Sequence, residues 1–154
     1  MINDDDGLEK EEHRRIGVKC YNRCWVLLDK ETRTLGEDDE LVELSFVQHY
    51  HWAFAGGEEQ LIMANWMVSR AAAATGHDEL ALRYAELAYQ GAQSSTTPDW
   101  LRASVAEGMA RAYAAHGDES KRDHWYGVAE KLVALIGDRE DRELIASQLE
   151  SVPR

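Results

Sequence analysis

The residues best suited to metal chemistry are two cysteines and two histidines in the first third of the chain, Cys20, Cys24, His49 and His51. Thiolate and imidazole groups are the usual protein ligands of zinc. Residues four apart share a helix face, whereas residues two apart differ by about 200° around the axis. One histidine with both cysteines is therefore the arrangement that could hold one ion. The competing interpretation is a packed histidine beside thiols that act as small hydrophobes, because free cysteine is often buried.

Motifs of known catalytic chemistry are missing from the sequence. It contains no nucleophile elbow, phosphate-binding glycine loop or H-E-x-x-H string. The acidic pairs Asp38-Asp39 and Glu58-Glu59 lie where helices are predicted to begin, and carboxylates there stabilise exposed amide groups. These observations favour a protein that is not an enzyme.

The charge of the chain excludes two classes of partner. The net charge is -12 at pH 7, so the chain repels phosphate backbones and anionic lipid headgroups. Nucleic acid and membrane are therefore not expected as partners. Arg70 and Arg111 stand among small and apolar residues, so a local cationic site remains compatible with the overall charge.

The chain is predicted to be a cytoplasmic protein with one folded domain. No apolar run resembles a secretion signal or a membrane span. Residues 1–7 are short, polar and acidic, which predicts a disordered segment, with a helix N-cap near Asp6, before a single domain at 8–154. Cys20 and Cys24 are poorly placed to bridge on one helix, which is typical of reduced cytosolic thiols.

Apolar residues recur at helical spacing along most of the chain, and no strand-like alternation persists. We predict an all-α fold of about seven helices. Gly56-Gly57 and the Ser-Thr-Thr-Pro segment before Trp100 mark two of the breaks, with Pro98 in a first turn. The predicted helices span residues 8–30, 37–54, 58–74, 78–92, 98–116, 119–136 and 138–150.

Three glycines predict an internal repeat of helical hairpins. Gly36, Gly76 and Gly117 fall 40 and 41 residues apart. Each follows one predicted helix and precedes acidic residues that begin another. This spacing predicts three antiparallel hairpins, which the charged last helix would cap.

The last two hairpins, residues 61–131, resemble tetratricopeptide repeats. Small residues at Ser69, Ala81, Ala88, Ala110 and Ala129, with Tyr113 and Tyr126, fall on positions where that family has small and aromatic residues. Arg122, Ala72, Ala85, Asn65 and Ala106 depart from the pattern, and the period exceeds the usual ~34 residues. The resemblance implies a stack of hairpins whose first helices line a groove that binds peptides or partner helices.

In the register that this resemblance implies, Arg70 and Arg111 occupy equivalent positions on adjacent groove-lining helices. Two guanidinium groups could hold a carboxylate through paired hydrogen bonds, with Trp66 as a flat apolar wall. The competing interpretation is that both arginines pair with neighbours such as Glu107. The groove-facing residues in this register are Met63, Trp66, Arg70 and Ala73, then Ser104, Glu107, Arg111 and Ala114.

The sequence therefore predicts a non-enzymatic protein or peptide interaction module without a cofactor. Its binding residues would be Met63, Trp66, Arg70, Glu107 and Arg111, and a homodimer is a further expectation. The alternative function is a metal- or small-molecule-binding helical protein centred on Cys24, His51 and Trp52. Tryptophans left exposed would mark a ligand or subunit surface, and Trp66 and Trp125 are the candidates for this role.

Overall fold

The computed structural model describes residues 7–154, so the expectations for a disordered segment and an N-cap at Asp6 lie outside the residues described. Seven α-helices and no strand occur in this part of the chain, as predicted. The helices are α1 Lys10–Leu28, α2 Leu35–Ala55, α3 Glu58–Ala74, α4 Asp78–Gly91, α5 Asp99–His116, α6 Glu119–Val133 and α7 Arg139–Glu150.

The helices pack as consecutive antiparallel pairs. In the first pair, His13 contacts His51 and Arg23 contacts Glu40. Residue numbers therefore increase along α1 in the direction in which they decrease along α2, so the two helices are antiparallel. The pairs α3–α4 and α5–α6 pack in the same sequential way. The first helices of the pairs also adjoin one another, because α3 contacts both α1 and α5, and α5 contacts α7. This arrangement gives the molecule one face built from α1, α3, α5 and α7.

The α3–α5 contact depends on a glycine that admits a tryptophan. Trp66 of α3 is 2% exposed, and its indole Nε1–H donates to the Ser104 carbonyl of α5 at 3.0 Å. A Cβ atom at Gly108 would come within 3.0 Å of Trp66 Cδ1, so the absent side chain makes room for the ring. Arg70, one turn beyond Trp66, reaches Glu107. The two helices therefore run in the same direction, side by side.

Two of the three glycines that were predicted to lie in turns between helices adopt the left-handed backbone conformation that is typical of a turn after a helix. Gly76 and Gly117 have φ values of 80° and 84°, in the left-handed region that favours glycine. After α5, the Gly117 and Asp118 amides donate to the Ala114 and Tyr113 carbonyls, which is the Schellman arrangement.

The expectation that Gly36 marks a turn is wrong. Gly36 lies in the first turn of α2, because the N-cap is Thr34 rather than a residue after the glycine. The Thr34 hydroxyl accepts from the Glu37 amide at 3.2 Å, and the Glu37 carboxylate accepts from the Thr34 amide at 3.0 Å. This capping box satisfies two amides and begins the helix two residues earlier than predicted. The even spacing of the three glycines is therefore not one structural repeat.

Several other helix ends differ slightly from the sequence prediction. α1 begins at Lys10, where the Glu9 amide donates to the Glu12 carboxylate at 2.9 Å, and it ends at Leu28 rather than residue 30. α6 ends at Val133 rather than 136, and Pro98 is the N-cap of α5 rather than a first-turn residue. These shifts of a few residues leave the pairing of the helices unchanged.

Gly117 and Gly36 offer a matched pair of substitutions that separates their two roles. Gly117→Ala should lower the free energy of unfolding by about 1 kcal/mol, because a Cβ atom disfavours the left-handed conformation. Gly36→Ala should raise it by up to about 0.5 kcal/mol, since alanine favours a helix and the nearest atom is 3.9 Å from the new Cβ. Urea denaturation of both variants measures the difference. Equal effects at the two positions would contradict this assignment.

Candidate binding cleft

A buried carboxylate joins the two arginines singled out in the sequence. The Glu107 side chain on α5 is fully buried. Its Oε1 accepts from Arg70 Nη1 of α3 at 3.1 Å and from Arg111 Nε, one turn along α5, at 2.7 Å. The pairing proposed as the competing interpretation is therefore present. It does not separate the arginines, because one carboxylate holds both.

Most of the hydrogen-bonding capacity of Arg111 is used inside the molecule. Its Nη2 donates to the Gln148 carbonyl at 2.8 Å and to Ser151 Oγ at 2.9 Å. These acceptors lie at the C-terminal end of α7, where carbonyl groups lack helical partners and a positive charge is favourable. Arg111 thus fastens the end of α7 to α5, and its role is chiefly structural.

Arg70 keeps more of its donors. Within residues 7–154 its hydrogen bond to Glu107 is made by Nη1, and neither Nε nor Nη2 has a hydrogen-bond partner. The guanidinium carbon lies 5.3 Å from the Trp25 ring centroid and 5.4 Å from that of Trp66, within cation–π distance. Burial lowers the pKa of Arg70 to about 10, against the raising effect of Glu107. The group therefore remains charged at neutral pH.

Both arginines line one open cleft of about 350 Å³. The size falls within the usual range for ligand sites. Its walls come from α1, α3, α5 and the segment after α7, which contributes Ser151 and Pro153. Arg33, beyond the end of α1, is a third guanidinium on this cleft, while Asp29 is its one carboxylate. Arg33 is held by Asp38 at 2.6 Å and by the Ala74 carbonyl at 3.1 Å.

Trp66 does not form the exposed wall that the sequence analysis assigned to it. At 2% exposure it is a core residue, held by its bond to Ser104 and by the close approach of Gly108. Trp25 of α1, which is half-buried, lines the cleft beside Arg70 instead. Met63 lies one turn before Trp66 and lines the adjoining clefts. Trp125 is half-buried, with its ring 4.7 Å from that of Tyr89.

The structure does not support the alternative site at Cys24, His51 and Trp52. The Cys24 thiol is buried, and its sulfur lies 4.0 Å from the Leu41 carbonyl oxygen. His51 has a different neighbour, because its Nδ1 lies 2.8 Å from His13 Nδ1. No group of three or more His, Cys, Asp or Glu side chains among residues 7–154 is placed to hold a metal ion. Trp52 packs on Gly17, where a Cβ atom would approach its ring to 3.1 Å.

The burial of Cys24 predicts a difference in thiol reactivity. Burial raises the pKa of Cys24 to about 12, so the reactive thiolate is scarce at neutral pH. Cys20 is half-buried, and the same cause raises its pKa. Iodoacetamide at pH 8 should therefore alkylate folded Cys20 slowly and spare Cys24. Mass spectrometry of Cys20→Ser and Cys24→Ser variants measures this, with urea-unfolded protein as the control in which both sites react alike.

Sequence reasoning missed the contributions of α1 and of the chain end to this cleft. Tyr21, Trp25 and Leu28 follow one another at helical spacing, a signal that α1 presents a groove-facing stripe in register with α3. The role of Ser151 had no comparable signal. It depends on where α7 ends relative to Arg111, which is a property of packing.

No protein-family model, curated protein or solved structure matches this chain. In the part of the chain that the structure describes, every helix is too short or too polar to cross a membrane.

Proposed function

We propose that this protein is a non-enzymatic interaction module that binds a peptide or protein segment along α1, α3, α5 and α7. A carboxylate of the partner would be held by Arg70, with Arg111 and Glu107 fixing the position of that arginine. Trp25 would supply the apolar wall, while Trp66 and Met63 support it from the core and the adjoining clefts. The observation that carries the proposal is a half-buried arginine with unused donors on an open cleft.

The balance of charge around Glu107 supports an anionic ligand group. One carboxylate faces two guanidinium groups, so this cluster keeps a positive charge in a chain whose net charge is -12. Hydrogen bonds between guanidinium and carboxylate groups are stronger than neutral ones, and a partly buried site screens them less than water does. An incoming carboxylate would therefore gain more here than at an exposed arginine.

The resemblance to tetratricopeptide repeats supports the same surface. In that family the first helices of successive hairpins line the binding groove. The cleft described above is bordered by α1, α3 and α5, which are the first helices of their pairs. We propose a cytoplasmic setting for this module, in keeping with its two free cysteines.

Selection from a peptide library displayed with free C-termini tests the proposal. Selected peptides would be synthesised as carboxylates and as the matching amides, and their affinities measured by calorimetry. Arg70→Met should weaken the carboxylate forms about tenfold or more, the effect of losing a charge-assisted hydrogen bond. Arg70 is preferred to Arg111 for this test, because Glu107 then keeps a counter-charge and α7 stays fastened.

Arg83→Met is the matched control, since Arg83 is an exposed arginine on α4, away from the cleft. It should leave the affinities unchanged. Selected peptides that bind Arg70→Met as tightly as the parent protein would contradict the proposal. Peptides that depend on Arg70 but bind equally well as amides would assign the bound carboxylate to an aspartate or glutamate side chain. Sedimentation of the free protein would show whether the partner is a second copy, as a homodimer requires.

A further inference from the structure

The face that carries Arg70 continues into a second cleft of opposite character. This cleft, of about 430 Å³, lies between α1, α3, α5 and α7. Four of its lining residues are aromatic, but Trp66 is only 2% exposed, so Tyr21, Trp25 and Trp100 form the accessible wall. Its two charged lining residues are both carboxylates, Asp29 and Asp141, and it has no lysine, arginine or histidine in its lining. We refer to it as the aromatic–acidic cleft.

Both carboxylates are available to a ligand. Within residues 7–154, neither the Asp29 nor the Asp141 side chain takes part in a hydrogen bond or in an ion pair within 4.0 Å. Asp29 is the C-cap of α1, where the helix dipole disfavours a negative charge. Helix stability therefore gives no reason for a carboxylate at this position. The electrostatic attraction between Asp29 and Arg70 offsets part of this unfavourable interaction with the helix dipole.

The aromatic walls suit a flat cation. Guanidinium groups stack on the faces of tryptophan and tyrosine and also form paired hydrogen bonds with carboxylates. The molecule already shows the first of these interactions, because the Arg70 guanidinium lies 5.3 Å from the Trp25 ring centroid. Leu144 is 58% exposed and also lines the cleft, so its apolar side chain can pack along the methylene groups of an arginine.

We infer that the aromatic–acidic cleft binds an arginine side chain of the same segment whose carboxylate is held at Arg70. This inference rests on the proposed function and gives the partner a second chemical property. The partner would carry an anionic group near the C-terminal ends of α3 and α5. Its arginine would lie in the aromatic–acidic cleft, among Trp25, Trp100 and the carboxylates of Asp29 and Asp141. Charge complementarity selects this occupant, because carboxylates are the only charged groups that line the aromatic–acidic cleft, whereas three guanidinium groups and the shared Asp29 line the cleft at Arg70.

Titration of the full chain with N-acetyl-L-arginine amide tests the inference by NMR. This probe has the cation and lacks a carboxylate, so its binding does not require the Arg70 site. The indole N–H signals of Trp25 and Trp100, assigned from Trp→Phe variants, should shift and saturate. N-acetyl-L-citrulline amide has nearly the same shape without the charge, and it should produce no saturable shift over the same concentrations.

Two variants give the test a site-specific readout. Asp29→Asn and Asp141→Asn should each weaken the arginine probe about tenfold, as expected for the loss of a charge-assisted contact. Asp39→Asn is the control, because Asp39 is an exposed residue of α2 outside the cleft. Asp141 lies in the first turn of α7, so the melting temperature of each variant is measured to exclude loss of folding.

Equal shifts with the arginine and citrulline probes would overturn the inference, as would equal affinities of all three aspartate variants. The proposed function has a separate readout. If the arginine probe fails while carboxylate peptides still depend on Arg70, the inference is wrong and the anion site stands. If the arginine probe binds through Asp29 and Asp141 while no peptide depends on Arg70, the proposed anion site is wrong.

Discussion

Replacing Glu107 with glutamine should lower the free energy of unfolding by about 3–5 kcal/mol, the usual effect of removing one partner from a buried ion pair. The side chain is fully buried, and its Oε1 is the acceptor for both Arg70 and Arg111. Glutamine keeps the volume but removes the charge, so two guanidinium groups would remain in a poorly solvated site. Urea denaturation followed by circular dichroism measures the loss.

A matched control and a second substitution identify the cause of that loss. Glu86→Gln makes the same chemical change at an exposed position of α4 and should alter stability by less than about 0.5 kcal/mol. Adding Arg70→Met to Glu107→Gln should restore part of the stability, because one of the two unpaired charges is then removed. A loss at Glu107 no larger than at Glu86 would contradict this account of the cluster.

Trp66→Ala should cost about 3–5 kcal/mol, the range for truncating a large aromatic residue in a core. The ring is 2% exposed and fills the contact between α3 and α5, where Gly108 leaves space for it. Trp66→Phe keeps much of the packing but loses the 3.0 Å bond to the Ser104 carbonyl, so its cost should be nearer 1–2 kcal/mol, about that of a hydrogen bond with some lost volume.

Thermal and urea unfolding of both Trp66 variants measures this difference. The comparison also distinguishes a core tryptophan from an exposed binding residue. If Trp66→Ala unfolds as the parent protein does, Trp66 would belong to the binding surface, as the repeat register predicts. Equal losses for alanine and phenylalanine would assign the effect to the indole hydrogen bond instead of to packing.

The sequence predicted the helices well because their signals are local. Apolar residues recur at helical spacing, and breaks such as Gly56-Gly57 and Gly117 stop a helix wherever the fold places it. Local signals also failed where two of them competed. At the start of α2, the glycine at position 36 suggested a turn, but the hydroxyl of Thr34 caps the helix and the glycine lies within it.

The candidate site was only partly accessible from sequence. The register of the repeat placed Arg70 and Arg111 on neighbouring helices, and the structure brings them to one carboxylate. The register could not predict that Arg111 would be bound within the protein while Arg70 keeps donors free for a ligand. Arg111 is committed to the end of α7 because Gln148 and Ser151 lie within its reach, and these acceptors are about forty residues away in sequence.

By itself, the sequence determined an all-α chain of about seven helices and where most of those helices begin and end. Periodicity and capping fix these properties, because they depend on residues within a few positions of one another. The tertiary structure decided which side chains are open to a ligand. Burial depends on how closely two helices approach, and at Trp66 this is set by Gly108 on another helix. The same packing left Arg70 with free donors, Trp25 as the wall, and Asp29 with Asp141 in a neighbouring cleft.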